Sequence, residues 1–345
     1  ETDTADRLES DLFREDEGSE PQSGWTNTAD GAPFGEKDLS AQSDAAFSYG
    51  YSQLSGDEEQ LYREILNSLI SYQEETELSV KDPEMVERVF RYVMADHPEI
   101  FYADGYEVTT YRLGTEIRRI TFTGTWTLES DEVLSRRAQL EAAAALWLEG
   151  LPDGTDDFEK AKYIYDALIL RTEYEQGSAD SQTICSVLLN QRSVCQGYAK
   201  TFQYLCQLAG IPAMLVTGDV NGEGHAWNIV FLDGDWYYID PTWGDASYQR
   251  EEGEETPALT ETVNYDYFCV TTQEIERTHS MDDNQLLPVC NAVQDQYYRH
   301  EGLYLQSADK EKIDEIFARA AQKGAPMVCF QCADDTVYQE VYRLL

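Results

Sequence analysis

The chain has 345 residues, and its 66 Asp and Glu against 25 Lys and Arg give a formal net charge of −41. Nucleic-acid affinity comes largely from Lys and Arg neutralising phosphates, so a polyanion of this kind excludes a nucleic-acid partner and disfavours an anionic membrane surface. No run of about 18 apolar residues is present to span a bilayer. What remains is a water-facing protein whose 42% hydrophobic content, with 23 Tyr, 12 Phe and 6 Trp, is enough for a buried core. Its length predicts one catalytic domain with smaller modules.

Residues 1–50 are rich in Asp, Glu, Ser, Thr and Gly with few apolar residues, a composition that buries too little surface to offset chain entropy. An acidic disordered tether is predicted there, with a charged arm lying on the domain as the alternative. The polar start at Glu1 without Met suggests a removed export signal and an extracellular or cell-surface location. An N-terminal α+β module is predicted over 51–150. Ser55–Glu58 has the Ser-x-x-Glu capping-box form ahead of Leu61, Ile65 and Leu69, and Asp82-Pro83 supplies an N-cap with Pro in the first turn of a second helix. That helix should stop before His97-Pro98. Alternating segments on either side of Gly114-Thr115 predict a hairpin, and a helix follows from about 131 to 149. The catalytic core is placed at 151–295, opening with a helix over 156–174. A small β-α-β-α unit closes the chain at 296–345.

The chemistry concentrates between 182 and 300. Ser193-Val194-Cys195-Gln196 reads as a second capping box, with Ser193 as N-cap and Cys195 in the first helical turn. Unpaired N–H groups and the positive helix end favour a thiolate there. The competing reading is a small buried hydrophobe, the usual fate of a free Cys. Cys206, eleven residues further along the same helix, lacks this help and should be inert.

Two β-prone runs flank Asp233-Gly234, which predicts a type I′ hairpin. With that two-residue loop Leu232 pairs with Asp235 and Asp240 faces Trp227, so His225 lies diagonally from Asp240 on one sheet face, roughly 7–8 Å away at Cα. A slip of one residue would separate them onto opposite faces. A Cys-His nucleophilic enzyme needs this pair: the imidazole takes the thiol proton and the carboxylate orients it.

The segment from Gln182 to Ala246, with V-C-Q-G-Y-A, G-H-A-W-N and W-Y-x-x-D-P-T-W in that order, resembles the transglutaminase-like core of bacterial proteins in the papain-like cysteine protease and transglutaminase superfamily. His97-Pro98-Glu99-Ile100-Phe101, Tyr267-Phe268 and Thr278-His279 resemble regions found beside that core. The resemblance implies an α+β fold in which a helix bearing the catalytic Cys packs on an antiparallel β-sheet. It also implies Cys195 as nucleophile, His225 as general base and acid, and Asp240 as the orienting carboxylate.

In such a site the oxyanion is held by the Cys backbone N–H and a second donor. Tyr174 and Gln191 are candidates for that donor, each with an ordinary structural role as the alternative. Trp227, Trp236 and Trp243 are candidates to wall a substrate groove, and for Trp236 a core position is favoured. No cofactor and no metal is expected. Cys329 and Cys332 have Cys-x-x-Cys spacing but sit on a predicted strand without a second pair, Cys269 and Cys290 are a candidate disulfide, and Glu251–Glu255 reads as a solvated loop.

The reading is cysteine-dependent acyl transfer on a peptide or protein amide through a thioester, resolved by water or by an amine acceptor. The rival is a non-catalytic cell-surface binding or scaffold protein that keeps the fold.

Overall fold

The computed structural model describes residues 4–10, 48–151, 154–245, 263–325 and 327–345. The Glu251–Glu255 loop and most of the expected tether lie outside the described residues. Within the tether stretch, Thr4–Ser10 form a strand, β1, rather than loose chain. A short helix, α1 (Tyr49–Ser52), opens the continuous part.

Helix α2 (Asp57–Ser71) buries Leu61, Ile65 and Leu69, the stripe that period-3.6 spacing predicts. Its N-cap is Gly56 and not Ser55. Only half of the capping box forms, with the Ser55 backbone N–H donating to Glu58 Oε2 at 3.3 Å. After β2 (Thr76–Glu77), α3 (Pro83–Asp96) starts where Asp82 accepts the Glu84 N–H, and it ends before His97-Pro98. The hairpin is β3 (Ala103–Leu113) and β4 (Glu116–Trp126), turning at Gly114, whose φ of 67° suits glycine. These strands form an antiparallel sheet in the order β1-β3-β4-β2. Helix α4 (Ser130–Leu148) then buries Val133, Leu140, Ala144 and Trp147.

Helix α5 (Asp157–Arg171) is shorter than the 156–174 expected. Glu173 and Tyr174 leave it as β5, pairing in parallel with β6 (Arg192–Ser193) beyond the short helix α6 (Ile184–Leu188). Helix α7 (Cys195–Leu208) follows, then β7 (Ala213–Val220), β8 (Glu223–Leu232) and β9 (Asp235–Ile239). Asp233 and Gly234 both have positive φ, 48° and 100°, and Leu232 pairs with Asp235, as the Asp-Gly turn predicts. A one-turn helix, α8 (Pro241–Gly244), closes the hairpin. Helix α9 (Thr272–Ile275) precedes β10 (His279–Met281), which completes a second antiparallel sheet in the order β10-β7-β8-β9.

One hydrophobic cluster runs from Leu54 in the N-terminal region to Cys269 and takes in α2 to α5, α7 and the β8–β9 hairpin, and a second gathers Ala95, Met214, Trp227, Ile229 and Tyr238. The 51–150 and 151–295 regions therefore pack as one body. Gln203 and Gln207 of α7 reinforce this by donating to the carbonyls of Ala95 and Asp96 at the end of α3, at 2.7 and 3.0 Å.

Past α10 (Tyr297–His300), the C-terminal unit pairs β11 (Tyr304–Leu305) in parallel with β12 (Gln331–Cys332). Helices α11 (Lys310–Gln322) and α12 (Asp335–Leu344) cover a separate small core of Leu305, Ile313, Ile316, Val337 and Val341. This is the β-α-β-α order expected. All seven cysteines are free thiols, including Cys269 with Cys290 and Cys329 with Cys332.

Candidate active site

Helix α7 begins at Cys195 itself. Val194 is the N-cap and no side chain caps the helix, so the expected role of Ser193 is not observed. The Ser193 hydroxyl is turned inward instead, donating to the Ser181 carbonyl at 2.8 Å and meeting Ser186 Oγ at 2.6 Å. Gly197 permits this knot, because a Cβ there would lie 1.9 Å from Ser193 Oγ. The consequence for Cys195 is a first helical turn with no side-chain acceptor on its N–H groups. Cys195 is partly exposed, whereas Cys206 is fully buried and its thiol is pushed well above its ordinary value by desolvation.

The β8–β9 hairpin delivers the other two groups. His225 Nε2 donates to Asp240 Oδ2 at 2.8 Å, and Cys195 lies near enough to the ring to help raise its pKa. Since Nε2 is committed to the carboxylate, Nδ1 is the nitrogen left for sulfur. Asp240 is completely buried and its oxygens divide their work. Oδ1 accepts the N–H groups of Thr242 and Trp243 at 2.8 and 3.1 Å, as the N-cap of α8. Oδ2 accepts His225 and also His279 Nε2, the latter at 3.0 Å.

Burial opposes charge on both members of the pair, and their mutual attraction overcomes it. Desolvation would raise the Asp240 carboxyl, but His225 and His279 hold it down at about 2. Desolvation would lower the His225 imidazole, but the Asp240 carboxylate, with the bond to Asp240 and the nearby Cys195, pushes it up to about 10. The side chains are therefore arranged to keep an imidazolium beside the sulfur.

A groove of about 1080 Å³ exposes Cys195 and His225. One wall is Tyr174, Gln176, Ser181 and Gln182, and the opposite wall is β7 with Glu223 and Asp282. Arg91, Met94 and Ala95 of α3 also line the groove, so the N-terminal region, in which no chemistry was expected, contributes to the site.

Of the oxyanion candidates, Tyr174 lies on the groove, but Gln191 is exposed and does not line it. Gln191 holds a φ of 56° between α6 and β6, with its backbone spent on Val187 and Glu173. Gln182, which sequence reasoning missed, lines the groove with Cys195, and the fold brings it there from before α6.

Trp243 borders the groove, and its buried Nε1 has no hydrogen-bond partner. Trp227 does not border it. With no exposed surface it packs beneath the histidines, its ring 5.9 Å from His225 and 4.9 Å from His279. The parity that puts His225 on the Asp240 face puts Trp227 there too, one step further into the sheet. Trp236 lies away from the groove, packed between Tyr49 and Phe231.

His279 reaches Asp240 because β10 pairs with β7, Val220 opposite His279 and Met281 opposite Gly218, which itself faces His225 on β8. A Cβ at Gly218 would lie 2.1 Å from the Ser280 carbonyl and 2.8 Å from Trp227, so this close approach requires glycine.

The donor atoms of His225, Asp240 and His279 lie within 4.8 Å of one another, a spacing that suits a metal ion. Here both ring nitrogens already donate to the carboxylate oxygen, and all three side chains are buried. Their donor capacity is used without an ion.

Residues 148–241, which hold Cys195, His225 and Asp240, match the family model of the transglutaminase-like superfamily. The chain carries a transglutaminase-like domain. It is 33% identical to kyphoscoliosis peptidase of Homo sapiens over 111 residues, 27% of this chain and 17% of that protein, and the Mus musculus protein is 32% identical over the same length. The chain thus matches about a sixth of the length of these relatives. Solved structures similar to it include a TGase (14% identity, TM-score 0.30, covering 46% of this chain and 47% of that one). Another is the periplasmic domain of TgpA from Pseudomonas aeruginosa (15% identity, TM-score 0.22, 41% and 73%). No helix among the described residues is long and apolar enough to cross a membrane.

Proposed function

We propose that the protein performs cysteine-dependent acyl transfer on peptide or protein amides through a thioester. The observation that carries this reading is the imidazole of His225, bonded to Asp240 and sharing an open groove with Cys195. The Cys195 sulfur attacks the carboxamide carbon while its proton resides on His225. The developing oxyanion lies at the start of α7, where the absence of a capping side chain leaves backbone N–H groups to receive it, with Tyr174 or Gln182 as a side-chain donor. His225 then protonates the departing ammonia or amine, the C–N bond breaks and a thioester remains. Water or a primary amine adds to the thioester, giving its proton to His225, and the sulfur leaves. Glu223 and Asp282 on the groove wall suit a cationic amine acceptor.

The test is mass spectrometry of a glutamine peptide incubated with and without a primary amine, which separates cleavage, deamidation and transamidation by product mass. A thiol-reactive amide mimic should label Cys195, with labelling lost in Cys195→Ala and strongly reduced in His225→Ala. No product in any arm, together with labelling indifferent to His225, would favour the scaffold reading and sink the enzymatic one.

A further inference from the structure

We propose that His279 is a positioning residue of this site, a second imidazole that shares Asp240 Oδ2 with His225 and sets how strongly that carboxylate holds the His225 imidazolium. The inference rests on the acyl-transfer reading of Cys195, His225 and Asp240.

His279 lies outside the matched segment, on a strand of the opposite sheet edge, yet its Nε2 reaches the same oxygen as His225, 3.0 Å against 2.8 Å. Its side chain has no exposure to solvent. A carboxylate only accepts, so both ring nitrogens on Oδ2 carry protons. Thr278 Oγ1 is 2.8 Å from the other nitrogen of His279 and holds the orientation of the ring. The carboxylate therefore receives two imidazole donors at the same oxygen. The His279 donor draws off part of the negative charge that would otherwise face His225, and with the two N-cap bonds on Oδ1 it prevents the carboxyl from rotating.

The ionisable groups around this cluster come from every neighbouring element. Cys195 of α7, with Glu223 of β8 and Asp282 beyond β10 on the groove, lies on the His225 side. Tyr165 of α5, whose hydroxyl reaches the Asp240 carbonyl, and Tyr267, which packs on His279 at 5.7 Å, lie on the Asp240 side. Among these, His279 alone puts a donor on Oδ2 beside His225.

The experiment measures the rate of Cys195 alkylation by iodoacetamide against pH in the full chain, alongside urea unfolding. His279→Leu removes the donor, leaves Asp240 ionised and strengthens its hold on His225. The upper step of the alkylation profile, where His225 gives up its proton, should move to higher pH by about half a unit or more. His279→Gln, whose amide N–H can still reach Oδ2, should return the step towards wild type, and Thr278→Val, which frees the ring to turn, should shift it in the same sense as Leu by a smaller amount.

An unmoved upper step in a folded His279→Leu protein overturns the proposal. An equal shift in Leu and Gln also overturns it, since that reduces the residue to packing. If the Leu protein does not fold, the Thr278→Val profile decides in the same two directions. Alkylation needs no substrate, so a wild-type protein inactive on glutamine peptides would count against the acyl-transfer reading while the shift still reports on His279.

Discussion

Asp240 and Asp96 are both buried carboxylates beside a histidine, and their environments push them in opposite directions. Asp96, at the end of α3, accepts the N–H groups of Gly50 and Tyr51 at 2.9 and 2.8 Å and the Tyr62 hydroxyl at 3.0 Å. Desolvation raises its carboxyl to about 6 in spite of His97 and these donors. The neighbouring His97 bonds through Nδ1 to Glu99 at 2.8 Å, not to Asp96. Asp240 has four donors against these three, but two of the four are imidazoles on one oxygen, and it is held at about 2. Direct imidazole bonding, more than burial or donor number, separates a lasting anion from a carboxyl near its titration point. The first holds two imidazoles; the second ties α1 to α3.

The largest effect expected is at the anion. Asp240→Asn keeps the shape but loses the charge that supports the His225 imidazolium, and activity should fall by roughly 10³–10⁴-fold, as for loss of the carboxylate in a comparable triad. Turnover of the peptide amide measures this; a loss under tenfold would break the contrast with Asp96.

The pH dependence of stability has opposite signs at the two sites. Asp240, depressed below the unfolded value near 3.8, adds stability that is complete above that value and lost as pH falls through about 2. His225, raised above 6.5, adds stability present below that pH and lost as it rises through about 10. Asp96 is a carboxyl raised above 3.8, so its protonated form favours folding and its contribution declines between about pH 4 and 6. The decline is at most about 3 kcal/mol, from two pH units at 1.36 kcal/mol each. Urea unfolding of Asp96→Asn across this range should show the variant gaining on wild type as pH rises. A constant difference would mean that Asp96 is not held near neutrality.

The smallest effect extends the comparison to the two thiols of α7. Cys206→Ala should cost about 1–3 kcal/mol of stability through its cavity and leave the alkylation profile of Cys195 unchanged. Native alkylation at Cys206 at a rate near that of Cys195 would show that burial does not separate the two.

Local chemistry made part of this site readable in advance. Asp233-Gly234 fixes the hairpin register, and register parity places His225 with Asp240. The failures have a common cause in contacts between distant segments. Ser193 has the pattern of a cap, but Ser181 and Ser186 compete for its hydroxyl. Trp227 has the correct parity for the groove, but histidines cover it from above. Gln191 is close to Cys195 in sequence, yet the turn from α6 into β6 leaves it in solvent, while Gln182, further away along the chain, lines the groove. His279 depends on the pairing of β10 with β7, across 59 positions from Val220, which no local pattern encodes.

That pairing also gives Gly218 a meaning beyond its own strand. It carries no functional group and is neither donor nor acceptor for the reacting atoms, but the missing methyl lets the Ser280 carbonyl come close. The electrical character of Asp240 is thus tuned mechanically, by the separation of two backbones. Gly218→Ala would act on the chemistry as a spacer does, displacing one imidazole without touching any residue that holds a proton.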